Sequence, residues 1–285
     1  MKKERESVRE KYTPIRLLPY STDNFLILTR LPRAQVLAGN ADNNELDAQY
    51  SAAYAAYFVA YLQAYARGGA GIDAITLQNE PQNSRGGGHV TMYLAADDHN
   101  TNNVPGYPRT VIDGAGAYVD GAEWHCYAGE LDWGVLTNFH DAYPGKHQCM
   151  TECWTSPSTP WYQSSKNTIG PLQNWAEGTL MWTLGTWTEA ADGTYGPYIA
   201  GGCVACRSLF VVDAARGTYE LTTDYYMLAQ ISRFVLRGAV VLRGAGIQSA
   251  ASRNPDGTQT VVVENNLWER RRCRPFYGQR GDVDW

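Results

Sequence analysis

The chain contains no run of about 18 consecutive apolar residues, so nothing in it reads as a membrane span. Its opening stretch, MKKERESVREKYTPIRLL, carries charge without an apolar core and does not read as a secretion signal. No glycine-rich phosphate loop follows any predicted strand, which argues against a nucleotide-binding protein. Strong charge of either sign is also missing: the net charge is −5, and a nucleic-acid partner is not expected. Cys203-x-x-Cys206 could be a redox pair or half a zinc site, but no second C-x-x-C accompanies it. His89, His99, His140 and His147 show no ligand spacing, so the expected role of that pair is a disulfide that ties a loop, and no cofactor is implied.

What is present is a globular composition, 44 % hydrophobic and 19 % charged over 285 residues. That length suits one large α/β domain, or one domain with a small appendage. Nine Trp and 19 Tyr make the chain rich in aromatics. Most are expected to fill the core; aromatic faces also pack against the C–H faces of sugar rings. The six cysteines, Cys126, Cys149, Cys153, Cys203, Cys206 and Cys273, suit a secreted, disulfide-bearing protein, although the N-terminus shows no export signal.

Residues 15–21, IRLLPYS, read as a short buried strand, and 22–46 as loop. Residues 48–67 are the clearest helix. Tyr50, Tyr54, Tyr57, Phe58, Tyr61, Leu62 and Tyr65 form a stripe at helical spacing that reads as core packing, with Asp47 as N-cap and Gly68–Gly69 as stop. The apolar strand IDAITLQNEP follows, one α-to-β step of a parallel fold. Further steps are a helix at 110–119 with a strand at 119–127, a helix at 133–143 with a strand at 147–153, and a helix at 171–179 running into a strand at 180–186. Such a series gives a doubly wound sheet or a (β/α)8 barrel. Beyond it lie an aromatic, glycine-rich loop (187–206), an amphipathic helix (223–236) capped by Thr222 or Thr223, and a β-hairpin turning at NPDG.

Parallel α/β folds gather reactive groups at the C-terminal ends of their strands. Those ends carry Asn79 and Glu80, then His125 and Tyr127, then Glu152 with Trp154 just after, and Trp182. Each has an ordinary reading as a capping, hydrogen-bonded or packing residue. Together, two carboxylic acids between aromatic walls are what glycoside hydrolysis requires. One acid protonates the leaving oxygen while the other supports positive charge at the anomeric carbon. A gap of about 5–5.5 Å gives retention and about 6.5–9.5 Å gives inversion.

The segments ITLQNEPQNS, VDGAEWHCYAG, MTECWTS, GPLQNWAEGTLMWTLGT and YGPYIAGGC, in that order, resemble glycoside hydrolase family 30, in particular its fungal endo-β-1,6-glucanase branch. The resemblance covers roughly 47–265 and implies a retaining enzyme on a (β/α)8 TIM-type barrel with a side β-domain. On matching positions Glu80 resembles the general acid/base and Glu152 the nucleophile. Asn79 would bond the sugar 2-hydroxyl, His125 and Tyr127 would line the subsite, and Trp154 and Trp182 would be stacking walls. Glu80 must hold its proton until donation, so its pKa is expected above the usual value of about 4.3, near 6.

The chain departs from the pattern in length. ITLQNEP resembles the fourth barrel strand and IRLLPYS the third, with nothing upstream to supply the first two. The expected organisation is an incomplete barrel over 1–221, then the last barrel helix, a hairpin remnant of the side domain and a basic tail over 222–285. Such a chain is expected to be a β-glucan hydrolase of marginal stability, or a weakly active or non-catalytic carbohydrate binder. β-1,6-Galactan or a glucosylceramide-like β-glucoside is the alternative substrate. An extracellular location is implied by the resemblance alone.

Overall fold

The computed structural model describes residues 15–16, 25–27, 48–72, 74–76, 95–96, 107–126, 133–155, 163–189, 194–195, 206–242, 249–264, 272–273 and 283–284. Contacts gather the chain into two units, one from Met1–Leu17, Trp154–Gln173 and Trp182–Trp285, the other from Leu18–Cys153 and Asn174–Met181. In chain order the elements are β1 (Ile15–Arg16), β2 (Phe25–Ile27), α1 (Ser51–Arg67), β3 (Ala74–Thr76), β4 (Ala95–Ala96), α2 (Tyr107–Ala115), β5 (Gly121–His125), α3 (Gly134–Ala142), β6 (His147–Glu152), α4 (Gln163–Gln173), β7 (Gly185–Glu189), β8 (Thr194–Tyr195), β9 (Phe210–Asp213), β10 (Thr218–Leu221), α5 (Thr223–Ser232), β11 (Val240–Leu242), β12 (Ser249–Arg253), β13 (Gln259–Val263), β14 (Arg272–Cys273) and β15 (Val283–Asp284).

The unit built around Leu18–Cys153 is a parallel α/β array. β2 pairs with β3, and β4, β5 and β6 form a second parallel set, extended by a bridge from Met150 to Thr179. Helices cover one side of β5. Ile112 from α2 and Leu136 and Phe139 from α3 pack on Ala122 and Trp124, with the Trp124 and Phe139 rings edge to face at 5.7 Å. Burying Leu136 or Phe139 contributes about 1.5–3 kcal/mol each. Trp124 donates its indole N–H to Gln148 Oε1 at 3.1 Å, and Gln148 donates in turn to the Leu136 carbonyl at 2.9 Å, so the Trp124 indole and the Gln148 amide are both paired. Gly121 is required where β5 begins, because a Cβ there would lie 2.2 Å from the His147 carbonyl oxygen.

α1 corrects two expectations. A 3-10 turn, Ala48–Tyr50, leads into it, and Tyr50 at the cap makes no side-chain bond, while Asp47 lies outside the described residues. Only Tyr54 and Phe58 of the aromatic stripe are buried, edge to face at 4.8 Å; Tyr50, Tyr57 and Tyr65 are exposed, and Tyr61 stacks on Tyr65. A seven-residue stripe wraps farther round the helix than the strip that touches its neighbours.

In the other unit β1, β11, β12 and β13 form an antiparallel sheet in that order. Ile15 pairs with Val241, so IRLLPYS supplies an edge strand here. The strand paired in parallel with Ala74–Thr76 is Phe25–Ile27, within the stretch taken as loop. A short apolar segment can enter either ladder; its partner decides. β12 and β13 form the expected hairpin, with Asn254 N–H donating to the Thr258 carbonyl and Gly257 at φ +86°. A second hairpin, β9 with β10, went unread. Asp213 accepts from the Arg216 backbone N–H at 3.0 Å, and Gly217 takes φ +64°. β9 also runs parallel to β7.

The helix expected at 171–179 is α4, which ends at Gln173, and Trp175 beyond it has φ +74°, a left-handed conformation that cannot continue a helix. Pro171 invites a reading as a helix start, yet it lies near the C-terminal end. The strand expected at 180–186 forms as β7 at 185–189; Trp182 makes an isolated parallel bridge with Trp154. α5 is capped as expected, Thr222 Oγ1 accepting from the Tyr225 N–H. α5 packs Ile231 against Ile169 and Leu172 of α4 and Ala250 of β12.

Candidate active site

β5 and β6 end in His125 and Glu152, two of the residues singled out in the sequence. Gly121 pairs with His147, Ala122 with Gln148, Glu123 with Cys149 and Trp124 with Met150. The next pair is His125 with Glu152, so Thr151 is an extra residue on β6. Such a bulge turns the following side chain. Gln148 lies on the helix-covered side with Trp124, and strict alternation would put Glu152 there too. With the bulge, Glu152 shares the side of His125, and its Oε1 stands 3.9 Å from His125 Nδ1. That spacing is longer than a hydrogen bond.

A covalent tie fixes the pair. Cys126 and Cys153, the residues directly after His125 and Glu152, form a disulfide with Cα atoms 5.1 Å apart. The Cys126 N–H also donates to the Glu152 carbonyl at 3.2 Å. Met150, Trp133 and Met181 pack round the bridge, and Cys149 is a buried thiol. Cys206 is disulfide-bonded as well, which removes it as a zinc thiolate; Cys203 lies outside the described residues.

Two further residues join the site from below. Thr76, fully buried at the end of β3, donates through Oγ1 to Glu123 Oε2 at 2.7 Å. Burial pushes the Glu123 carboxyl up to about 7, with the Thr76 hydrogen bond and the attraction of His125 opposing it. Sequence reasoning missed Glu123 and Thr76. The available signal was period two in GAEWH: Ala122 and Trp124 are apolar, so Glu123 alternates to the side of His125.

Of the residues singled out in the sequence, His125 and Glu152 are brought together. Trp154 and Trp182 are bridged to each other through the backbone and are 39 % and 40 % exposed. Asn79, Glu80 and Tyr127 lie outside the described residues. A carboxyl group at a strand end with an imidazole 3.9 Å away is an arrangement that can serve acid–base or nucleophilic chemistry.

The chain is similar in fold to solved glycoside hydrolases, some of them of family 30. It matches the solved endo-β1,6-glucanase BT3312 with a TM-score of 0.75 at 23 % identity, over 93 % of this chain and 68 % of the other. It matches a GH30 endoxylanase from Clostridium papyrosolvens with a TM-score of 0.54 at 15 % identity, over 81 % and 61 % of the two chains. No protein-family model matches the chain. In sequence it is a homologue of the fungal endo-1,6-β-D-glucanases, 45 % identical to that of Neurospora crassa over 87 % of this chain and 58 % of the relative. The chain spans a little over half the length of the curated fungal relatives it matches.

Proposed function

We propose that the chain is a retaining glycoside hydrolase that cleaves β-1,6-glucosidic linkages in glucan. The observation that carries this reading is Glu152 at the end of a parallel strand, turned by a bulge toward His125, in a chain 45 % identical to fungal enzymes named for that linkage.

Glu80 donates its proton to the glycosidic oxygen as the C–O bond breaks, and the Glu152 carboxylate forms a bond to the anomeric carbon. Glu80, now a carboxylate, takes a proton from water; the water oxygen bonds to that carbon and Glu152 leaves, so two inversions give net retention. Asn79 bonds the 2-hydroxyl, His125 and Tyr127 line the subsite, and Trp154 and Trp182 stack on sugar rings. The positioned acid contributes about 10²–10⁴ in rate. Residues 1–221 contribute the barrel that carries the site, and residues 222–285 supply its last helix, the hairpin and the tail. Disulfides at Cys126–Cys153 and Cys206 support an extracellular, oxidising location.

The test is reducing-end release from linear β-1,6-glucan by the parent chain, Glu80→Gln and Glu152→Gln. Release by the parent and loss in both variants is expected, with a 2-fluoro-glucoside labelling Glu152. Binding by all three without release would make the chain a carbohydrate binder, and labelling at another residue would overturn the roles of the acids.

A further inference from the structure

Glu123 has no part in the two-carboxylate scheme, yet it lies in the same buried layer. Its carboxyl is 7 % exposed and receives the Thr76 hydroxyl hydrogen bond at 2.7 Å. No Lys or Arg pairs with it among the described residues. Its cross-strand neighbours are Ala95 on β4, which carries no charge, and the Cys149 thiol on β6. Along β5 it is two residues before His125, with which it interacts electrostatically. His125 in turn is 3.9 Å from the Glu152 carboxylate. Thr76, Glu123, His125 and Glu152 thus form a series of polar groups from β3 to β6, linked by a hydrogen bond, an electrostatic interaction and a 3.9 Å approach.

A buried acid without a cation is costly to keep, and an apolar residue would fill this layer at less cost. The acid has a use if its charge governs the imidazole. When Glu123 is ionised it favours the protonated ring, and a protonated ring holds Glu152 as a carboxylate. When Glu123 is protonated that support is withdrawn. We infer that Glu123 is a positioning residue for the reaction proposed above: its buried carboxyl, held by Thr76, sets the orientation and charge of His125 against Glu152. The inference rests on that proposed reaction, because the residue it serves is the proposed nucleophile.

Glu123→Gln keeps the shape and an acceptor for Thr76 but cannot ionise. On β-1,6-glucan it is expected to lower kcat by about 10–100-fold, the scale of a small misplacement at a reacting centre, with KM within about twofold of the parent. It should also displace the limb of the pH–kcat profile that reports Glu152 ionisation and slow fluoro-glucoside labelling of Glu152. Thr76→Val should move the same limb in the same direction by a smaller amount, and Thr76→Ser should restore the parent profile. A readout independent of turnover is the His125 ring titration followed by NMR. In Glu123→Gln the ring should lose its proton at lower pH than in the parent.

An unchanged kcat, pH profile and His125 titration in a folded Glu123→Gln protein would overturn the positioning role. So would a loss of thermal stability alone with the profile intact, which is the signature of packing. If the parent itself neither releases sugar nor labels at Glu152, the proposed reaction fails first. The His125 titration still decides whether Glu123 governs the ring.

Discussion

Two buried carboxyl groups, one in each unit, have opposite surroundings. Asp224, in the first turn of α5, faces the Arg207 guanidinium through two contacts, from Nε to Oδ2 and from Nη2 to Oδ1 at 3.2 Å, and accepts the Thr155 hydroxyl at 3.0 Å. Glu123 has a threonine and a neighbouring imidazole, and its proton is held far more tightly than in water. A carboxylate gripped by a fork-shaped cation serves as a structural joint. One buried without such a cation stays able to exchange a proton near neutral pH. Burial is common to both; the partner separates a joint from a chemical group.

The largest expected effect breaks the joint. Asp224→Ala strands Arg207 in a buried position and should lower stability by about 3–5 kcal/mol, read by chemical denaturation. A loss below about 1 kcal/mol would erase the contrast drawn between the two acids. Next is the covalent tie at the other acid's strand. Replacing Cys126 and Cys153 together by Ala opens a loop of sequence separation 27 and should lower stability by about 3.5 kcal/mol. If activity falls no further than stability explains, the bridge does not orient His125 and Glu152.

Glu123 itself gives a pH-dependent effect. The folded chain holds the Glu123 proton up to about 7, against 4.5 for the free group. Stability from this site is therefore fully present below about 4.5 and is lost as pH rises through about 7. The full swing is about 3 kcal/mol. Glu123→Gln should flatten that part of the stability–pH curve, and an equal slope in parent and variant would show that Glu123 titrates like an exposed acid.

The smallest effect lies at the half-exposed His147, whose Nδ1 is 2.9 Å from Glu177 Oε1. The hydrogen bond that His147 donates to Glu177 raises the His147 pKa above 6.5. Its stabilisation is complete below 6.5 and fades as pH climbs through the raised value. Glu177→Gln should return His147 toward its usual titration by NMR and cost under about 1 kcal/mol, since water screens the pair.

Much of the parallel array was legible. The helix at 134–142 and the strands at 121–125 and 147–152 fall within a few residues of where apolar periodicity and flanking turn residues place them. Phe25–Ile27 is too short to show a period, and Ile15–Arg16 was assigned to the wrong ladder because its partner, Val240–Val241, is more than 200 residues away. The hairpin at 210–221 had readable signals in FVVD and in Gly217, and they were passed over. In the candidate site, His125 and Glu152 were legible as a pair because they end successive strands. Glu123 was not found because a single acid inside a strand looks like an accident until its neighbours are known.

The sequence by itself determined which residues are apolar, at what period, and where acids and an imidazole follow strands, because those are properties of local spacing. The tertiary structure decided which side of its sheet Glu152 occupies. One extra residue, Thr151, shifts the ladder by a single position, and with a period of two that shift exchanges one face for the other. It also decided that Glu123 keeps its proton while Asp224 meets a guanidinium, since the partner of a buried charge comes from chain that is distant in sequence.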